Sequence, residues 1–517
     1  MSRAFENRIS SQPPQRAGAR EWIALAALML SVILVSVDNT VLSFALPQIA
    51  EALEPTAAEQ LWIIDIYPLI LAGLLVTMGS LGDRIGRRRL LLIGATGFAL
   101  VSILAAFSAN AGQLIAARAA LGFFGAMLMP STLSLLRSTF LDREQRRLAV
   151  AIWATCFAAG AALGPLVGGI LLAHFPWGSV FLLAVPVLIP MLIAVPLLVR
   201  ESRDPNPGPI DLVSILFSMA AMFGVVYAIK HFASEGLDVI GVASFVVGVT
   251  FGYLFVRRQF RRPIPLLDIR LFSDRMFSGG ILVNLLSVIA LVGFLFFVSQ
   301  HLQIVLGFDP FTAGLILVPG LVIMVVSGLA VVPLSRRVSP HVVVTLALLL
   351  SAAAYALIAI VPQSPSLEVV LIAFSLLGLG IGAAETISND LILNAAPPNK
   401  VGAASALSET AYETGAVLGT ALLGGILAAN YRLVLVLPEG VEAGDSAAAH
   451  ETLAGAYNLS ERIGGELGRQ IMDAAVAAFE SGVTITATIG ALLMVVAALV
   501  AWRKLRVRAD TNSITQP

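Results

Sequence analysis

Seven ionisable residues fall inside long apolar stretches of this 517-residue chain: Asp38, Asp65, Arg118, Glu385, Asp390, Glu409 and Glu413. A charged side chain near a bilayer centre costs from about 2.5 kcal/mol upward, so such residues face aqueous cavities, pair with one another or carry protons. Six of the seven are acids. Burial favours the neutral form of a carboxylic acid, so one buried acid can hold a proton at one stage and a cation at another. A cavity with more acids than bases attracts cations, and Arg118 is expected to neutralise an acid rather than touch a cation itself. Side chains suited to a flat cation accompany the acids: Trp62, Tyr67, Phe44, Met127, Met129, Phe294 and Tyr412. Each of these aromatic and Met residues has packing or an interfacial belt as its plainer reading. Asp65 could reach the interface, Glu409 could pair locally, and Asp390 could already sit among headgroups.

The elements that must position these residues are membrane-spanning helices. The chain is 58% hydrophobic and 12% charged, with a mean hydropathy of +0.91. A hydrocarbon layer of about 30 Å needs about 20 apolar residues per helix. Runs of that length occur near residues 22–46, 61–80, 90–108, 113–136, 147–172, 179–199, 211–230, 237–256, 277–300, 312–334, 342–361, 369–393, 402–428 and 476–501. The expectation is an all-α integral membrane protein with fourteen transmembrane helices. At about 1.5 Å rise per residue, Asp38 lies somewhat outside mid-membrane and Asp65 and Arg118 in the outer third. Glu413 lies near the middle, with Glu409 one turn away on the same face, and Glu385 and Asp390 fall in the inner half.

Charge placement orients the helices. One set of alternate connecting segments holds 27 of the 32 Lys and Arg residues, whereas the other holds Lys230, Arg432, Arg462 and Arg469. Basic loops remain cytoplasmic, so both termini are expected there, in the plasma membrane of a bacterium. The organisation read from the sequence is a tail at 1–21, a six-helix bundle at 22–200, an extra pair at 201–262, a second six-helix bundle at 263–501 and a tail at 502–517. The second bundle contains one long external loop, 429–474, whose part from Ala448 to Ala478 is expected as an amphipathic surface helix. A faint internal repeat joins the bundles: Gly160, Gly164 and Gly168 in the fifth helix are echoed by Gly415, Gly419 and Gly424 in the thirteenth. Paired halves around a midplane site are the architecture of secondary transporters.

Other chemistries find little support. The net charge is zero, which argues against nucleic acid. No Gly-Lys-Ser/Thr phosphate loop exists, the five histidines are scattered, and Cys156 is the sole cysteine. An ATP-driven pump, a metal site and an enzyme are therefore not expected, and no cofactor is expected.

Three motifs carry a resemblance. Gly79-Ser-Leu-Gly82-Asp83-Arg84-Ile-Gly86-Arg87-Arg88-Arg89 joins the second and third helices. Leu114-Ile-Ala-Ala-Arg118-Ala-Ala-Leu121-Gly122 lies in the fourth, and Gly164-Pro165-Leu-Val-Gly168-Gly169 in the fifth. Glycines every four residues also make a plain helix-packing groove, and Pro165 favours a bend. Together with Asp38-Asn39-Thr40-Val41, these stretches resemble the signatures of the major facilitator superfamily. The likeness is to its fourteen-helix drug:proton antiporters, the multidrug exporters of the QacA and LfrA type. Leu121 departs from the common Gln, and Leu334-Ser-Arg336-Arg337 in the second half lacks the acid of the loop signature.

The resemblance implies the major facilitator fold, two six-helix bundles plus two extra helices. It implies a proton-coupled antiporter that exports lipophilic cations such as quaternary ammonium compounds, ethidium-like dyes and fluoroquinolones by alternating access. The implied partners are protons, lipophilic cationic small molecules and membrane lipid, and a monomer is expected. Asp38, Arg118 and Asp65 are then expected in proton coupling. Glu413, Glu409, Glu385, Asp390, Trp62, Tyr67, Tyr412 and Phe294 are expected in substrate binding. Gly79, Asp83, Arg84, Gly86, Arg87, Gly164, Pro165 and Gly168 are expected in gating. The alternative is a proton-coupled exporter of an endogenous lipid, peptide or antibiotic.

Overall fold

A bilayer offers no water to satisfy backbone N–H and C=O groups, which leaves helices as the outcome for apolar runs of this length. The computed structural model describes residues 16–203, 211–263, 265, 267–335, 337–360, 366–396, 401–441 and 443–506. Arg336 of the second-half motif lies outside them. All regular structure among the described residues is helical.

The long helices are α1 (Ala19–Leu53), α2 (Ala57–Ile85), α3 (Arg87–Ala106), α4 (Ala111–Thr139), α5 (Arg143–His174) and α6 (Ala184–Leu198), the last preceded by one turn at Ser179–Leu182. The chain continues with α7 (Leu212–Glu235), α8 (Val239–Arg261), α9 (Arg275–Gln300), α10 (Pro310–Leu334), α11 (Pro340–Ile360) and α12 (Leu367–Ala395). Helix α13 starts as Val401–Leu418, passes through a π-helical segment at Gly419–Gly424 and resumes as Gly425–Val434, and α14 is Gly465–Lys504. Thirteen of these are long and apolar enough to cross a membrane on their described residues. The remaining one, α5, has 32 residues and ends in the apolar stretch Leu163–His174. Among the described residues the fold is an all-α membrane bundle with fourteen long helices.

Polar N-caps begin the helices where apolar runs alone give no boundary. Thr56 caps α2 in a capping box with Glu59, and Asp142, Asp211, Asp238, Asp274 and Asp309 cap α5, α7, α8, α9 and α10. Their oxygens accept from otherwise unpaired N–H groups of the first turn.

The first six helices pack together, α1 on α5 and α6 and α2 on α4, and α9 to α14 pack together around α9, α12 and α14. The pair α7–α8 stands apart from both sets, with α7 resting on α2 and on the end of α13. The repeat has a physical counterpart. An added Cβ at Gly160 or Gly164 would collide with Ser36 or Thr40 of α1, and one at Gly415 or Gly419 would collide with the backbone of α9 at Leu285 or Ile289. In each set the glycine stripe lets one helix lie almost backbone to backbone against the first helix of that set.

Two expectations are corrected. The connection expected at 429–474 is shorter, because α13 runs to Val434 and α14 begins at Gly465. In place of one surface helix over 448–478 there are two short ones, Ala443–Glu451 and Leu453–Ile463. Glycine breaks the run: Gly464 and Gly465 both adopt a φ of +62°, a left-handed conformation that only glycine adopts cheaply. Leu453, Ala456 and Leu459 are buried, so the second short helix is packed onto the bundle, against α14 and α1.

Candidate functional site

The first helix carries two adjacent polar residues that point to different partners. Asp38 is paired with Arg118 of α4, Oδ2 to Nη1 at 2.6 Å, and both side chains are almost completely buried. Arg118 also donates from Nε to the Ile63 carbonyl at 3.2 Å, and its guanidinium lies 4.5 Å from the Tyr67 ring centroid. The cation therefore has an acid, a carbonyl and an aromatic face, all within the first six helices. Asn39, one residue on, turns towards the second set: its Nδ2 donates to Glu413 of α13 at 3.2 Å to Oε1 and 3.5 Å to Oε2. Successive residues on a helix are about 100° apart, which is why neighbours in sequence can address opposite sides.

Glu413 is buried, with 3% of its surface exposed. Tyr412 stands within electrostatic reach of both Glu413 and Glu385, and its ring meets Phe157 of α5 edge-on at 5.3 Å. Phe157 stacks on Trp153 at 6.1 Å, whose Nε1 donates to Thr132 Oγ1. An aromatic wall from α5 thus faces acids from α12 and α13. Glu385 Oε1 is buried with no hydrogen-bond partner among the described residues. Glu409 is within electrostatic reach of Arg137 on α4.

Not every expected residue joins this group. Asp390 is exposed. Phe294 is fully buried in an aromatic cluster with Phe297, Phe374 and Tyr355, a packing environment within the second set. Asp65 and Trp62 form a separate centre with Lys230 of α7. The ammonium lies 2.9 Å from Asp65 Oδ2, with side-chain exposures of 2% and 0%, and 4.0 Å from the Trp62 ring centroid. The sequence reading that put Lys230 in a connecting segment, and Asp65 potentially at the interface, is corrected by this pair. The seventh apolar run ends on Lys230, so hydropathy alone placed it at the surface.

At the face where α1 begins and α14 ends, Asp83 pairs with Arg87 at 2.8 Å. Gly86 has a φ of +112°, and a Cβ there would lie 2.7 Å from the Glu201 carboxyl. Glu201 accepts from the backbone N–H groups of Arg88 and Arg89 at the start of α3, an arrangement helix N-termini favour for anions. Its role had no signal in the sequence beyond a carboxylate just past the sixth apolar run. The glycine-proline stretch of α5 also reaches across the two sets: a Cβ at Gly314 of α10 would lie 2.5 Å from the Pro165 carbonyl oxygen, and one at Gly169 2.6 Å from the Pro310 carbonyl oxygen. Gln303 adds a hydrogen bond to the Phe44 carbonyl at 3.2 Å, and Leu61 approaches Gly424. These contacts join the two sets towards the face opposite the termini.

Helical sets that meet at one face around buried acids define a multi-pass membrane transporter. The family model of the Major Facilitator Superfamily matches residues 28–420, and the chain belongs to that family. It is a transporter and not an enzyme. It is 53% identical over 485 residues to the multidrug efflux pump LfrA of Mycolicibacterium smegmatis, covering 94% of this chain and 96% of that protein. It is 37% identical to the methyl viologen resistance protein SmvA of Salmonella typhimurium, covering 89% and 93%. It is 30% identical to the tetracenomycin C resistance and export protein of Streptomyces glaucescens, covering 95% and 93%. Among solved structures, a bacterial homolog of the human lysosomal transporter Spinster in an inward-facing, unoccupied conformation aligns with a TM-score of 0.66 at 16% identity, over 95% of this chain and 100% of that one. That likeness concerns the fold.

Proposed function

We propose that this chain is a multidrug exporter that moves lipophilic cations out of a bacterial cell in exchange for protons. The observation that carries the reading is the split at Asp38 and Asn39, which puts a charge-paired acid and a second, amide-held acid, Glu413, on either side of one helix. Multidrug efflux is supported by the relatives, whose names include a multidrug efflux pump, a methyl viologen resistance protein and a tetracenomycin C resistance and export protein. Methyl viologen is itself a flat organic cation, the kind of cargo that an acid beside aromatic rings suits.

In this reading both termini are cytoplasmic, which the distribution of Lys and Arg supports, and the contacts gathered at the opposite face support an inward-open arrangement. A cation entering from inside meets Glu413, Tyr412 and the Trp153–Phe157 wall. A proton on Asp38 would release Arg118 from its partner, and the freed guanidinium would repel a cation held across Asn39. Proton and substrate then exclude each other through one helix, which is the requirement for exchange. Export against an inside-negative potential costs about 2.3 kcal/mol per charge per 100 mV, so exchange of a monovalent cation for one proton is electrically neutral, whereas a divalent cation needs two. The domain scheme follows: two six-helix bundles that rock, with α7–α8 as an attached pair, acting as a monomer.

Ethidium transport into everted membrane vesicles tests the reading. Uptake is expected to stop when the pH gradient and potential are collapsed together, and continued uptake would remove proton coupling.

A further inference from the structure

The Asp65–Lys230 centre plays no part in the exchange just described, yet it contains the elements of a cation site. The Lys230 ammonium has a carboxylate on one side at 2.9 Å and an indole face on the other at 4.0 Å. A buried acid and the face of a tryptophan are what a protein uses to hold an organic cation. Here both are occupied by the protein's own side chain.

The cation is delivered from outside the two main helical sets. Lys230 stands on α7, which packs on α2 and on the end of α13. Leu69 of α2, Val226 of α7, and Val417 and Ala421 of α13 form a small buried cluster there, and Trp62 packs against it. The centre therefore lies on the seam between the sets.

The site also has an approach. A groove of about 700 Å³ opens between α2, α4, α7 and α8, and Trp62 forms part of its wall together with Ile66, Phe223, Tyr227 and Val247. Phe223 stacks on Trp62 at 6.4 Å. The walls are mostly apolar, as a path for a lipid-dissolved molecule would be, and the Lys230 ammonium rests on the indole that helps form them.

We infer that Asp65 and Trp62 constitute a second site for lipophilic organic cations, reached along this groove, and that Lys230 is a tethered cation that fills it until a substrate takes its place. The inference rests on the cation-export reading for the class of ligand. A lysine on a flexible four-carbon stem can withdraw without moving the backbone. As an intramolecular competitor it acts at an effective concentration on the order of millimolar. It thus keeps the seam charge-balanced when empty and sets a threshold that weakly binding cations fail to pass.

Equilibrium binding of ethidium to the purified full-length protein, followed by fluorescence, tests this. Lys230→Met is expected to gain a binding event, or to tighten the weaker one by about tenfold or more. The gain is expected to vanish in Asp65→Asn/Lys230→Met and to be absent in Lys230→Arg, which restores the cation. Wild-type binding with no gain in Lys230→Met overturns this site alone, as does a gain that survives Asp65→Asn; no binding to either protein overturns the export reading with it. Should Lys230→Met fail to reach the membrane, photolabelling of the unaltered protein with an azido derivative of ethidium carries the test. Label on Trp62 or Ile66 supports the site, and its absence from both overturns it.

Discussion

Asp38 and Glu413 are both buried carboxylates, and they differ in what holds them. Asp38 has a guanidinium at 2.6 Å, supplied by its own helical set. Glu413 has the neutral amide of Asn39, supplied by the other set. An ion pair inside a low-dielectric bundle satisfies itself, and removing one member leaves an expensive unpaired charge. An acid held by one amide keeps capacity for a further partner. The acids of the first set are thus charge-balanced: Asp38 by Arg118 of the same set, and Asp65 by a lysine from the additional pair. Glu413 and Glu385 in the second set have no ion pair among the described residues. Under the proposed exchange, this charge asymmetry between two similar sets would let one respond to a proton and the other receive a cation.

The comparison is broken most severely at the ion pair. Asp38→Asn leaves Arg118 buried without its counter-ion, an expected cost of about 3–5 kcal/mol, and efflux is expected to fall at least about 100-fold. Ethidium efflux normalised to the amount of protein in the membrane measures this, and wild-type efflux would show that the pair is scaffolding. Glu413→Gln removes charge but keeps an acceptor for Asn39, so stability should change by no more than about 1 kcal/mol. Cation affinity should weaken by about 10- to 100-fold, since charge-assisted contacts are the stronger ones. Affinity equal to wild type would transfer the receiving role to another acid.

A smaller effect is expected where the seam of the first set is packed. A Cβ at Gly164 would lie 1.8 Å from Thr40 Oγ1, so Gly164→Val should cost about 1–3 kcal/mol by overpacking. Thr40→Ala should recover part of the loss in thermal unfolding. Full tolerance of Val would mean that α5 and α1 separate readily.

The smallest effect belongs to an ion pair at the membrane surface, outside both sets. Hydrogen bonds from Arg258 hold the Asp211 carboxyl well below the usual carboxylate range, aided by Ser214. Because the folded value is lowered, the stabilisation is present above the unfolded value near 4 and is lost as pH falls below it. Arg258 is partly exposed, so Asp211→Asn should cost less than about 1 kcal/mol near neutral pH. Unfolding measured between pH 5 and pH 3 should show a smaller acid-induced loss in the variant than in wild type.

Hydropathy is a local property, so the sequence by itself determined the fourteen helices and the glycine stripes that recur in both sets. It also carried the family, through motifs that lie in single stretches of chain. It could not pair the acids. Asn39 meets Glu413 across 374 positions, and the rotation of one helix against another is not written in either helix alone. Lys230 is the sharpest case. It ends an apolar run and so reads as a surface flank, and only the packing of α7 against α2 decides that it is buried against Asp65. Phe294 went the other way, from a candidate for substrate contact to an aromatic core. Which face of each helix looks into the bundle is set by the sum of all neighbouring contacts, and that sum exists only in the folded protein.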